Sequence, residues 1–373
     1  MRIGIDISTL SKQAGGINKY ILNLVKHLSL IDSKNEYFLY AHKKIGLEPG
    51  LEKANFVMRE SKNTHRVLWM QSELPSALKR DKINVVHSPC YIAPLLSGVP
   101  KVLTVHDMTS SLFPGNFTFK HTLIYSTLVP LSIRKAERII TDSESTRNDL
   151  VRITKVPAGK ITTIHLGVDK EFFPVKDQEK LRAFREKYSL SGKFILNVGT
   201  LEPRKNITRL IQAFGLLKKN NKIEHKLVVA GSKGWLYDEI FDKVNELGLS
   251  DDVIFTGFVP DEDLPLLYNC ADVFAFPSLY EGFGLPVLEA MACGIPVVAS
   301  NNSSLTEISG ADAAAVLVDP NSVEAIAEAL HKVLSDGSFR QTLVNKGFQR
   351  AKLFNWEDTT RKTLAVYNEF EQN

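Results

Sequence analysis

Two glutamates eight positions apart, Glu281 and Glu289, bracket the stretch YEGFGLPVLEA (280–290). Paired carboxylates can serve as a general acid and base, and their separation sets the outcome of glycoside hydrolysis. The residues between them point to ligand binding as well. Gly282 and Gly284 allow backbone amides to turn toward a ligand, Pro286 suits the first turn of a helix, and Gly294 can end it. Glu281 is therefore expected in a loop and Glu289 within two turns of the helix start, both facing one crevice. Complementing a helix dipole would not require so specialised a combination of residues.

Other strand ends also carry chemistry. The run VLTV is followed by His106 and Asp107, and apolar runs likewise precede His87 and His165. His87 and His165 read more simply as hydrogen-bonding a loop carbonyl, and nothing fixes the convergence of the three histidines on a metal. FILNVGTLEPRKN (194–206) is a strand, a turn and the adjacent cations Arg204 and Lys205, which suit a diphosphate. LVVAGSKG (227–234) ends in another glycine turn at Gly231, and Ala14-Gly-Gly16 leads into an amphipathic helix whose amino end can receive a phosphate. There is no GxGxxG in the first half, so the usual dinucleotide fingerprint is missing. Asp261-Glu-Asp263 superficially matches a DxD metal motif, but after Pro260 it reads as first-turn helix chemistry.

These positions need elements to hold them. Strands are predicted at Ile3–Ile7, Tyr37–Ala41, Val85–His87, Val102–Val105, Ile139–Thr141 and Ile161–His165, with a helix over Ile17–Leu28. The second half repeats the scheme at Phe194–Val198, Leu227–Ala230, Val253–Thr256, Val273–Pro277, Pro296–Ser300 and Ala315–Val318. Strands alternating with helices predict an α/β fold of two doubly wound parallel sheets, with ligands beyond the carboxyl ends of the strands. The linker falls near residues 170–178, giving domains 1–174 and 175–355, and a charged helix over Lys180–Tyr188 opens the second.

Composition bounds the reading. The 373 residues, 44% hydrophobic and 24% charged, suit a globular chain of two domains. Cys90, Cys270 and Cys293 are odd in number and set among apolar neighbours, which argues against a disulfide framework or a CxxC metal site and for a reducing compartment. No run is apolar enough to span a membrane, and a strand begins directly after Met1, leaving no room for a signal peptide; a cytoplasmic location is expected. Residues 1–175 carry 24 Lys+Arg against 15 Asp+Glu, a net +9, and residues 176–373 carry 22 against 27, a net −5. The basic half suits an anionic partner such as a membrane surface, or is simply a solvated face. A nucleic-acid partner is not expected, since interleaved aromatic and basic residues are not apparent.

PSLYEGFGLPVLEAMACGIPVVASN (277–301) closely resembles the signature of retaining glycosyltransferases of family 4, which have the GT-B architecture: two Rossmann-like domains with parallel sheets facing a central cleft. The resemblance extends through GGI (15–17), HSPCYIAP (87–94), VHD (105–107), TDSESTRNDL (141–150), GTLEPRKN (199–206), AGSKG (230–234), TGFVPDEDLPLLYNCADVFAFPS (256–278) and FNWED (354–358). It implies a nucleotide-sugar donor held by the second domain, an acceptor held by the first, and a terminal helix near 356–373 crossing back to the first domain. Position by position, it implies that Glu289 binds the ribose and Glu281 the donor sugar. The backbone of Gly282, Phe283, Gly284 and Leu285 would meet sugar and diphosphate, with Gly231 in a neighbouring turn. Arg204 and Lys205 would neutralise the diphosphate, Gly16 would close over it, His106 would contact the sugar near the reacting carbon, and the backbone around Val259 would read the base. No metal or other cofactor is implied. One departure is Thr200, where many members have arginine, which shifts phosphate binding toward Arg204 and Lys205.

RVLWMQSELP (66–75), HSPCYIAP and LEPRKN look most like members that transfer mannose from GDP-mannose in bacterial polysaccharide or O-antigen assembly; UDP-glucose and dTDP-rhamnose remain open as donors. The implied acceptor is a glycan on a lipid diphosphate at the inner leaflet, which fits a peripheral enzyme with Lys12, Lys19, Lys43 and Lys44 on its basic half. A non-catalytic nucleotide-sugar-binding protein is the alternative of another class.

Overall fold

The computed structural model describes residues 1–10, 15–45, 53–62, 65–116 and 119–371; Lys12, Ala14 and positions 372–373 lie outside them. The chain divides into two compact units, Met1–Gly167 with Asn355–Asn373, and Val168–Phe354. The division at Gly167 precedes the expected linker by a few residues.

In the first unit, seven strands form one parallel sheet: β1 (Arg2–Asp6), β2 (Glu36–Ala41), β3 (Phe56–Glu60), β4 (Val85–Ser88), β5 (Lys101–Val105), β6 (Arg138–Thr141) and β7 (Ile161–Thr163), in the order β3-β2-β1-β4-β5-β6-β7. The central β4 and β5 are buried at every residue, and β1, β2 and β6 at all but their first, as expected where helices cover both faces of a parallel sheet. The edge strand β3 was not expected from the sequence: FVMRE is only partly buried and carries a weak pattern. The helix Gly16–Ile31 buries Tyr20, Ile21, Leu24, Val25 and Leu28 along one face, an i, i+4 stripe of the kind that seats a helix on a sheet.

The helix Trp356–Asn368 completes this unit, capped by the Asn355 side chain, which accepts from the Asp358 amide. Gly167 lies so close to its start that a Cβ there would sit 2.2 Å from the Trp356 nitrogen. Thr359 Oγ1 donates to the His165 carbonyl at 2.8 Å, and Arg138 pairs with Glu369.

The second unit repeats the plan with β8 (Phe194–Val198), β9 (Lys226–Ala230), β10 (Val253–Gly257), β11 (Val273–Phe276), β12 (Val297–Ser300) and β13 (Val316–Val318), in the order β10-β9-β8-β11-β12-β13. Both sheets start in the middle, wind outward to one side, and then return to the other. The winding reverses between β1 and β4 in the first sheet and between β8 and β11 in the second. At such a reversal the following loops diverge and leave a crevice at the carboxyl ends of the strands.

Candidate functional site

In the second unit the two strands at the reversal deliver the predicted residues to one place. The turn after β8 carries Arg204 and Lys205, and the loop after β11 carries Glu281. Lys205 Nζ donates to Glu281 Oε1 at 2.7 Å and Arg204 Nη1 to Oε2 at 2.8 Å. Arg204 also donates to Glu202 Oε1 at 2.6 Å and to the Tyr280 carbonyl at 2.9 Å. Lys205 Nζ lies 4.8 Å from the centre of the Phe276 ring. Burial alone would raise the Glu281 carboxyl, but Arg204 and Lys205 outweigh it and bring it down to about 2. Burial lowers the Lys205 ammonium despite Glu281, and Arg204 adds to the lowering. The formal charges of Arg204, Lys205, Glu202 and Glu281 sum to zero. The two cations are therefore already offset, and the cluster acts as a rigid polar clamp more than as a free positive patch.

The surrounding backbone is pinned. Leu279 N donates to the Arg204 carbonyl, Asn302 Nδ2 to the Leu279 carbonyl, and Glu281 N to Ser303 Oγ. Ser304 Oγ bridges the carbonyls of Glu281 and Phe283 at 2.9 and 2.5 Å. Gly284, at φ 111°, turns the chain into the helix Leu285–Ala292; a Cβ there would meet Leu305 at 2.7 Å. Pro286 sits in the first turn as expected, no side chain caps the helix, and the Val287 amide donates to the Gly284 carbonyl at 3.0 Å. Gly231, at φ 155°, brings the loop after β9 against the turn after β8: a Cβ would lie 2.0 Å from the Gly199 oxygen. Thr200 is exposed beside it, and Val259 is buried just after β10.

The two glutamates have different surroundings. Glu289 is buried and accepts from Tyr268 Oη at 2.9 Å, apart from the Arg204–Lys205–Glu281 cluster. The acidic triplet also departs from expectation. Asp263 caps nothing with its side chain; it accepts from Lys187 Nζ and Tyr188 Oη, both at 2.6 Å, which fastens the helix Gln178–Lys187. Lysine and tyrosine are stronger partners for its carboxylate than the end of a helix of one and a half turns. No group of three or more His, Cys, Asp or Glu residues poised for a metal occurs among the described residues, and the three cysteines are buried and unpaired.

In the first unit His106 follows β5 as predicted and is 8% exposed. Nδ1 lies 2.7 Å from Asp142 Oδ2 and Nε2 2.7 Å from the Pro89 carbonyl oxygen. A carbonyl only accepts, so Nε2 carries a proton, and a second proton lies between Nδ1 and Asp142. Burial disfavours a charged ring, but Asp142 outweighs it and holds His106 above its ordinary value, while burial pushes Asp142 up. Both ring nitrogens are thus committed inside the protein. Tyr20 packs edge-on at 5.1 Å between ring centres.

His87 does not meet a loop carbonyl. It is fully buried in β4, with Nδ1 2.6 Å from Tyr367 Oη and Nε2 2.8 Å from Thr104 Oγ1. A histidine in mid-strand faces the covering helices, here the terminal one, and burial with His106 nearby pushes it down to about 3. Gly16 opens the helix Gly16–Ile31, which has neither a side-chain cap nor an acidic first turn.

Asp142, Glu202, Tyr268 and Ser304 were not singled out from the sequence. Asp142 could have been, since it ends β6 as His106 ends β5. Glu202 is two residues from its partner Arg204 but lies in an irregular turn with no pattern of its own, while Tyr268 and Ser304 meet partners 21 and 23 residues away, which no local pattern reveals.

Residues 14–172 match the family described as Glycosyltransferase Family 4, and residues 178–350 match Glycosyl transferases group 1. The chain is 33% identical over 368 residues to the O-antigen chain mannosyltransferase B of Escherichia coli, covering 94% of this chain and 95% of that one. Among solved structures, sucrose-phosphate synthase from Thermosynechococcus elongatus superposes with a TM-score of 0.79 at 23% identity, covering 100% and 99% of the two chains. Anabaena HepE in complex with UDP-glucose gives 0.79 at 19%, covering 99% and 100%. These last two likenesses speak for the fold. The chain belongs to the glycosyltransferases of family 4 and is a glycosyltransferase with the GT-B fold, each unit built on one doubly wound parallel sheet.

Proposed function

We propose that the protein transfers a mannosyl group from GDP-mannose, with retention of anomeric configuration, to a glycan carried on a lipid diphosphate in polysaccharide or O-antigen assembly. The observation that carries this reading is the clamp in which Arg204 and Lys205 hold Glu281, an ionised carboxylate on a pinned loop. A carboxylate that stays charged accepts hydrogen bonds from sugar hydroxyls without taking their protons. Similarity to the Escherichia coli mannosyltransferase supports mannose as the sugar.

In this proposal the second unit binds the donor. Glu281 orients the sugar, Glu289 accepts from the ribose hydroxyls, and the backbone around Val259 reads the base. Gly231 keeps the neighbouring turn close. Breaking the anomeric C–O bond places negative charge on the leaving diphosphate. Amides of the loop leading into the helix Leu285–Ala292, from Gly282 through Leu285, stabilise it with Arg204 and Lys205. From the first unit, Gly16 adds backbone contact to the diphosphate and His106 reaches the donor sugar. Because both ring nitrogens of His106 are engaged by Asp142 and Pro89, that contact falls to its backbone or ring carbons. No metal takes part. The basic half meets an anionic membrane at its inner face; no helix among the described residues is long and apolar enough to cross one.

The test is incubation of the purified protein with GDP-mannose, UDP-glucose or dTDP-rhamnose and a mannose-containing oligosaccharide acceptor. Products would be read by mass spectrometry and by the anomeric proton coupling. Mannosyl transfer with an α linkage is expected. Transfer only from another donor would replace the mannose reading, and binding without transfer would show a non-catalytic sugar-nucleotide binder. Liposome binding that ignores anionic lipid and salt would remove the membrane contact.

A further inference from the structure

The helix Leu264–Asn269 has six residues, too few to be rigid by itself, and it is fastened at both ends. At its start Asp263 accepts from Lys187 Nζ and Tyr188 Oη, both at 2.6 Å. At its end Asn269 Nδ2 donates to the Phe173 carbonyl at 2.9 Å, and Oδ1 accepts from the Val175 amide at 2.7 Å. What this fastened helix carries into the core is Tyr268, fully buried.

Tyr268 stands in a row of rings. Phe172 meets it edge-on at 5.8 Å between centres and Phe274 at 5.4 Å, and Phe276 stacks on Phe274 at 5.6 Å. Phe274 and Phe276 lie two apart on β11 and so share one face of it. Those three rings are phenylalanines; Tyr268 alone in the row has a hydroxyl, and it donates to Glu289 Oε2 at 2.9 Å. Burial, with Glu289 close by, pushes that hydroxyl well up, so it keeps its proton and faces the carboxylate as a donor. A glutamate side chain has three torsions to fix, and a carboxylate turned the wrong way meets a pair of neighbouring hydroxyls with one oxygen in place of two. A donor anchored to one oxygen, on a ring locked by packing, fixes the orientation before a ligand arrives. A carboxylate can accept about four hydrogen bonds, so accepting from Tyr268 does not by itself use it up.

We propose that Tyr268 is a positioning residue for the transfer reaction: its hydroxyl sets the plane of the Glu289 carboxylate so that both ribose hydroxyls of the donor are met together. This rests on the reading that Glu289 holds the ribose. Asp263 then serves the donor site at one remove, by fastening the helix that carries Tyr268.

The experiment is titration calorimetry on the whole chain with GDP, UDP and the 2′,3′-dideoxy form of each. Wild type is expected to bind one nucleotide at least tenfold more tightly in its ribose form than in its dideoxy form. Tyr268→Phe removes one hydroxyl from a row already made of phenylalanines and is expected to melt cooperatively. It should weaken the ribose form about tenfold, the size of one lost hydrogen bond, and leave the dideoxy form unchanged. Glu289→Ala should erase the preference altogether. Equal weakening of both forms by Tyr268→Phe would show a hydroxyl that only supports the fold, and would overturn the proposal. A preference that survives Tyr268→Phe but not Glu289→Ala would also overturn it while leaving Glu289 at the ribose. A wild type with no preference for the ribose form of either nucleotide, or a preference that survives Glu289→Ala, would instead remove the ribose reading, and the role of Tyr268 with it.

Discussion

Replacing Glu281 by glutamine removes one charge from the Arg204–Lys205–Glu281 cluster at almost constant shape. Its carboxyl is lowered from 4.5 to about 2 in the folded protein, and such a displacement corresponds to about 3 kcal/mol favouring the folded state. Lys205 sets a limit on that figure: its own value is lowered, so burial of the ammonium is not fully offset by Glu281. With Glu281 gone, Lys205 can shed its proton and recover part of the loss. We therefore expect Glu281→Gln to destabilise by about 2–3 kcal/mol at pH 7, or about 5–10 °C in the melting transition of a unit this size.

The sign with pH follows from a folded value below the unfolded one. The stabilisation is fully present above about pH 4.5 and is lost as pH falls from there through about 2. The gap between wild type and variant should therefore narrow in acid. The assay is a series of thermal melts of the full chain from pH 7 to pH 3. Melting within about 1 °C of wild type at pH 7, with a parallel acid profile, would show that the clamp does not stabilise the fold and would refute this account.

Gly231→Ala would push a Cβ to 2.0 Å from the Gly199 oxygen at φ 155°; a loss of about 3 kcal/mol or more is expected from melts, with weaker nucleotide binding, and a variant as stable as wild type would contradict the close approach. Asp142→Asn removes the charge that outweighs burial at His106, so the ring's titration, followed by NMR, should move below its ordinary value; an unchanged midpoint would mean Asp142 does not hold the second proton. Chelation of divalent metals by EDTA should leave sugar transfer at its untreated rate, and loss of activity restored by added metal would show that a metal is needed.

Both sheets were legible in the sequence because parallel strands buried on both faces are short apolar runs that stand out between helices. Twelve of the thirteen strands were expected, most to within a residue or two; β3 was not, because an edge strand needs apolar residues on only part of its surface. The gathering of Glu281, Arg204 and Lys205 followed from one rule about strand ends. Their pairing did not, because charges that look available in a sequence can be spent on each other. His87 shows a similar limit: the order of residues located it near a strand end, but its partner Tyr367 lies 280 residues away. Asp263 went to a lysine and a tyrosine on a helix far from it in sequence, for the same reason.

The helix Trp356–Asn368 brings a consequence for biosynthesis. It supplies Tyr367 to His87 and the Thr359 hydroxyl to the His165 carbonyl, so the first unit lacks a structural part until this helix, beyond the whole second unit in sequence, has left the ribosome. The second unit is one uninterrupted segment, Val168–Phe354, and meets no such delay. The half translated first is thus the half completed last. During that interval Tyr20 and His87 wait without the helix that covers them, which makes this the period when the nascent chain most needs protection from aggregation.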